Sequence, residues 1–133
     1  NSIYENDLKS HVNSVGYVSH KEAINYQNRS QVLLLVEVDS EDTKCIIPGK
    51  LFEYMASERP IIAIGPKHSD VETIIIQTNT GNYFAYNNFK SLKNLILSHF
   101  AEFQKGNLKS HPIGLQKYHR KKLTNELVKL IHK

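Results

Sequence analysis

QVLLLVEVDSEDTKCIIPGKLFEYMASERPIIAIG, residues 31–65, holds two apolar runs separated by a polar loop and a short segment that opens on a proline. The first run, Gln31 to Val38, is apolar on both faces, as a strand covered by helices on both sides requires, and predicts a central parallel strand. Asp39 to Lys44 is an acidic polar loop. Pro48 marks a helix start, because a proline in the first turn loses no useful donor, and the helix is expected to run through Ser57. Pro60 to Gly65 then reads as a second buried strand. A strand, a helix and a strand in that order imply a parallel crossover and an α/β fold.

Outward from this unit the same alternation continues. Toward the start, Val12 to Val18 is expected to be a strand. Ser19 and Glu22 form a capping box that opens a helix to about Arg29. Toward the end, Ser69 and Glu72 form a second capping box before a helix to about Gln77, and Asn82 to Ala85 reads as another strand. Leu92, Ile96, Phe100 and Phe103 recur at helical spacing, and so do Leu123, Leu127, Leu130 and Ile131. The second set predicts a basic amphipathic helix over about 115–132. Residues 1–133 are therefore expected to be a single Rossmann-like domain, a mostly parallel sheet flanked by helices.

A chain of 133 residues is long enough to hide roughly two thirds of its unfolded surface. Its 40% hydrophobic and 23% charged content fits a folded domain rather than a disordered one. The net charge of +4 is uneven. Residues 1–66 carry 6 basic and 9 acidic side chains, a balance of −3, whereas 67–133 carry 11 and 4, a balance of +7. The positive tail could meet an anionic membrane surface, a partner domain or nucleic acid. Nucleic acid is disfavoured, since no aromatic residues are interleaved with His119 to Lys122 and no RNA-binding motif occurs. The longest apolar stretch falls far short of a membrane span, so a soluble, cytoplasmic chain is expected, touching at most the inner face of a membrane. Cys45 stands alone, and the seven histidines show no metal-ligand spacing.

In a parallel sheet ligands bind beyond the carboxyl ends of the strands, where loops feed helix N-termini. Three loops qualify, at 18–21, 39–50 and 65–72. In the middle one Pro48, Gly49 and Lys50 bring a small residue and a cation to a helix start, where free amides and the helix dipole favour an anion. Glu53 follows on about the same side of that helix. The plainer reading makes Lys50 a solvated lysine with Glu53 as its helical partner, although lysine before glutamate is the poorer order for such a pair. No GxxxxGK[ST] phosphate loop occurs.

The blocks GYVSHKEA (16–23), PGKLFEYMAS (48–57) and RPIIA (59–63) resemble the C-terminal, donor-binding domain of GT-B-fold glycosyltransferases of family 4. The resemblance implies transfer of a sugar from a nucleotide diphosphate sugar to an acceptor hydroxyl, with retention and without a bound metal. It implies that Glu53 holds the donor ribose and that Gly49, Lys50 and Leu51 face the diphosphate. Tyr17, Val18 and Ser19 would then lie near the base, with Cys45, Ile47 and Pro48 toward the sugar. The family often has a glutamate eight positions before the one matching Glu53, and Cys45 stands there instead. The resemblance further implies an N-terminally truncated domain, without the acceptor domain and the early donor strands. Such a chain is expected to be inactive alone and to expose a sheet edge through which it could self-associate. The rival reading is a non-catalytic α/β binding module, receiver-like or anion- or protein-binding.

Overall fold

The computed structural model describes residues 2–131, and the last residue of the expected C-terminal helix, His132, lies outside them. The described chain is α/β. In order it holds α1 (Ser2–Glu5), α2 (His20–Arg29), β1 (Leu33–Val36), α3 (Gly49–Ala56), β2 (Ile61–Gly65), α4 (Asp70–Thr78), β3 (Gly81–Ala85), α5 (Phe89–Gln104) and α6 (Arg120–Ile131). Short 3-10 turns occupy Lys9–His11, Glu41–Thr43 and Leu115–Tyr118.

The three strands form one parallel sheet in the order β1-β2-β3, so β2 is central. Leu33 pairs with Ile61 and Leu35 with Ala63, while Ile61 pairs with Gly81 and Ala63 with Tyr83. Alternation along each strand sends these residues to one face. On that face Leu35, Ile61 and Ala63 join Leu51 and Met55 of α3 and Val71, Ile74 and Ile75 of α4 in the core. Helix α4 buries positions 71, 74, 75 and 78, the stripe of a helix packed on a sheet. It stops at Asn79, which adopts the left-handed conformation that ends many helices. Gly81 lies so close to the backbone of Ile61 that any side chain there would strike the Ile61 carbonyl.

Three expectations are corrected. Within Gln31–Val38 only Leu33–Val36 is strand, and it lies at the edge of the sheet rather than its centre: Leu33 and Leu35 are buried, but Leu34 and Val36 are more than half exposed. An apolar run on both faces signals a buried strand only when both faces are covered, and here only one is. Val12–Val18 is not a strand. Its polar Asn13 and Ser14 and the left-handed turn at Gly16 leave no continuous apolar face for a sheet to bury. The C-terminal helix also begins later than expected, because Gly114 turns left-handed, Leu115–Tyr118 forms a 3-10 turn, and His119 is extended.

On the opposite face of β2 Ile62 is buried and shares a cavity of about 380 Å³ with Ile96, His99, Phe100 and Phe103 of α5. Burial holds the His99 imidazole below its ordinary pKa. The accessible surface is 10033 Å², against about 7,200 Å² expected for a compact monomer of this mass. The open faces of β1 and α5 and the whole of α6 contribute to that excess.

Neighbouring residues on α4 test which face holds the fold together. Ile75 is wholly buried and Ile76 is mostly exposed. Ile75→Ala is expected to cost about 2–5 kcal/mol, and Ile76→Ala no more than about 0.5 kcal/mol. Urea unfolding of both variants checks this; equal losses would contradict the assignment of the 71, 74, 75 and 78 side of α4 as its packed face.

Candidate functional site at the start of helix α3

The loop after β1 is fixed by its own polar groups. Thr43 donates its hydroxyl to the carbonyls of Ser40 and Val38, at 2.8 and 3.0 Å. Asp70, opening α4, donates its amide to the Lys44 carbonyl at 2.8 Å. The chain then reaches Pro48, whose extended backbone caps α3 without a side-chain bond. Among the described residues no side chain caps the first amides of α3, which are turned toward the loop.

Beside them is a cavity of about 210 Å³ lined by Val36, Glu37, Thr43, Ile46, Pro48 and Lys50, among others. Lys50 is exposed and has no ion pair among the described residues. A side chain built at Gly49 would meet nothing within 4 Å. The fold therefore does not require glycine there, and the bare backbone is open to whatever docks. Of the other residues expected here, Pro48 lines the cavity, whereas Cys45 is exposed and neither it nor Ile47 belongs to the lining. Leu51 is wholly buried in the core and its amide bonds the Pro48 carbonyl at 2.9 Å. Its helical spacing sends it inward, so it serves packing rather than the cavity.

Glu53 lies four residues beyond Gly49, about 6 Å further along the helix, and faces α2. Its carboxylate accepts from Gln27 Nε2 at 3.2 Å and lies 4.0 Å from His20 Nδ1. It thus turns to α2 rather than to Lys50, and the start of α2 comes beside the middle of α3. Arg59 reinforces this by donating to the Asn28 carbonyl at 2.6 Å. Ser19 is committed to the capping box: its hydroxyl accepts the Glu22 amide, and Glu22 accepts from the Ser19 amide and hydroxyl. Those bonds hold the Glu22 carboxyl below its ordinary pKa. Val18 is half-buried beside it and Tyr17 is fully exposed. Gly49 with Lys50, and Glu53 with Gln27 and His20, are therefore strung along one side of a single short helix, and among the described residues no bond joins Tyr17, Val18 or Ser19 to Glu53.

A further cluster at the same end of the sheet escaped the sequence reading. Glu37 Oε2 accepts from the Tyr83 hydroxyl at 2.6 Å and the Ser69 hydroxyl at 3.1 Å, while Oε1 is buried without a partner. Tyr83 also reaches the Pro66 carbonyl, and Tyr86 donates to the Glu37 carbonyl. Gly65 makes room, since a side chain there would collide with the Tyr83 hydroxyl and Glu37. Burial, and then the bond to Glu37, push the Tyr83 phenol well above its ordinary range. An acid interrupting LLLVEV, with a glycine closing the neighbouring strand, was the signal available. The second capping box is also altered: Ser69 takes the Glu72 amide, but Glu72 bonds the amide of left-handed His68 rather than that of Ser69.

No family model, curated protein or solved structure matches this chain. Among the described residues no group of three or more His, Cys, Asp or Glu is placed to hold a metal ion, and no helix is long and apolar enough to cross a membrane.

Tyr83→Phe leaves Glu37 without its closest donor and is expected to cost about 1–3 kcal/mol in urea unfolding. Because the folded-state phenol pKa is raised, its contribution is whole below about pH 10 and is lost as pH climbs past the unfolded value. The variant should therefore lose stability more gently than wild type above pH 10. Parallel alkaline profiles would contradict the Glu37–Tyr83 linkage.

Proposed function

We propose that this chain is the donor-binding part of a GT-B-type glycosyltransferase, holding a nucleotide diphosphate sugar whose sugar passes to an acceptor hydroxyl with retention of configuration. The observation that carries the reading is the division of labour along α3. At its start, amides that no side chain caps, an unrequired glycine and a lysine with no ion pair among the described residues stand at the carboxyl end of β1. One turn on, a half-buried carboxylate faces the start of α2.

A diphosphate is the ligand class that suits the first group. Lys50 and the amides would bind its charge in the ground state and hold it more strongly as the sugar leaves, with no metal required for that task. Glu53 offers two acceptor oxygens to a vicinal diol such as a ribose, and displacing Gln27 and His20 would free both. Tyr17 supplies an exposed ring against which a base could stack. The cavity of about 210 Å³ is smaller than the ~300–1,000 Å³ of sites that enclose a whole ligand. It suits the diphosphate portion, with the rest of the donor and the acceptor contacted by a second domain of a longer parent.

Lys50→Ala separates this reading from a solvated lysine. Calorimetric titration with UDP and GDP, and with uridine and guanosine, at low and high salt, is the test. The reading predicts unchanged folding, loss of roughly 1.5–3 kcal/mol for the diphosphate that binds, and almost none for its nucleoside. The difference should shrink as salt rises. Equal losses for both ligands, or no binding of either diphosphate by wild type, would remove Lys50 and the reading with it.

A further inference from the structure

Helix α6 packs chiefly against the Leu115–Tyr118 turn, whose Leu115 and Tyr118 rest on the core, with the Tyr118 ring 5.7 Å from that of Phe52. The anchoring stops at Tyr118, because His119 is extended and no residue of α6 is buried. At 100° per residue Leu123, Leu127, Leu130 and Ile131 form one stripe, and Val128 widens it. All five are exposed, Leu127 at 57%, Leu130 at 69% and Ile131 at 69%. The other side carries Lys121, Lys122 and Lys129 with a single acid, Glu126, which lies 3.9 Å from Lys122.

Two features narrow what this helix meets. Arg120, Lys121 and Lys122 crowd the first turn, where no acidic residue is present and where the helix dipole is itself positive. That arrangement is unfavourable in water and is relieved by an anion at the helix start. The aliphatic stripe, by contrast, needs an apolar medium, which neither a free phosphate nor a nucleic acid backbone supplies. Lys121 and Lys122 lie beyond the two edges of the stripe, where their stems can run along an apolar surface while their ammonium groups stay at its polar boundary, and Lys129 faces away from it. An apolar layer bounded by negative charge satisfies both demands, and with about 18 Å of length the helix would lie along such a layer rather than cross it.

We propose that α6 is an interfacial anchor that lies in the plane of an anionic lipid bilayer, with Leu123, Leu127, Leu130 and Ile131 in the acyl boundary and Arg120, Lys121 and Lys122 among the headgroups. This stands on α6 alone and is independent of the nucleotide reading.

The test is co-sedimentation of the full chain with vesicles of phosphatidylcholine alone and of equal parts phosphatidylcholine and phosphatidylglycerol. The chain should pellet with the anionic vesicles and stay in solution with the neutral ones. A Lys121→Glu, Lys122→Glu double variant should lower partitioning by at least about 25-fold, at roughly five-fold per basic residue. A Leu127→Ser, Leu130→Ser double variant, which keeps the charge, should lower it at least ten-fold. Since no α6 residue is buried, both variants should keep the thermal midpoint of wild type, so lost binding is not lost folding. Failure to pellet with anionic vesicles overturns the proposal, as does binding indifferent to the leucines. Light scattering supplies the rival outcome: a dimer dissociated by the leucine variant, without vesicle binding, would assign the stripe to a second copy of the chain.

Discussion

The position of β2 between two parallel neighbours governs the arrangement of the rest. Ile61 and Ala63 are wholly buried, and their face is where α3 and α4 both pack. Because the three strands run the same way, the loops after β1 and β2 emerge at one end. Lys44 then ties them together by accepting the amide that opens α4. The loop carrying Pro48, Gly49 and Lys50 is held there by a core built several residues away, and close packing of Gly81 on Ile61 keeps the sheet tight on its other side.

Much of this was legible in the sequence because it depends on local signals. The capping box at Ser19 and Glu22, the proline before α3 and the Ser69 cap that opens α4 each act within a few residues, and the structure has them at those positions. What could not be read depends on distant partners. The run LLLV promised cover on both faces, and only the neighbours of β1 decide that one face stays open. Val12–Val18 has strand-forming residues but no face to bury. The bond from Tyr83 to Glu37 spans 46 positions and depends on the absence of a side chain at Gly65, a coincidence of register that no local pattern announces. Within the candidate site the sequence suggested Gly49, Lys50 and Glu53. It could not reveal that Leu51 points into the core, that Ser19 is consumed by its own cap, or that Glu53 turns to α2 rather than to Lys50.

The folded core and the exposed surfaces divide the molecule's tasks. The face of the sheet under α3 and α4 carries the main core, the opposite face still buries Ile62 and Phe84, and α6 leaves its apolar stripe exposed. Glu37 sits at the boundary, with one oxygen tied to Tyr83 and Ser69 and the other buried beside the cavity that Lys50 lines. Any ligand entering there meets Lys50 and the Glu37 side chain in the same cavity.

On the proposed function, the start of α3 holds a diphosphate while Glu53 and the Tyr17–Ser19 segment hold the nucleoside. Backbone amide chemical shifts of the isotope-labelled chain, followed during titration with a nucleoside diphosphate and then with the bare nucleoside, test this directly. The diphosphate is expected to move the Gly49 and Lys50 amides most, and the nucleoside to move Val18, Ser19 and Glu53 while leaving Gly49 and Lys50 nearly still. Shifts confined to α5, β3 or α6, or no shifts with either ligand, would contradict it.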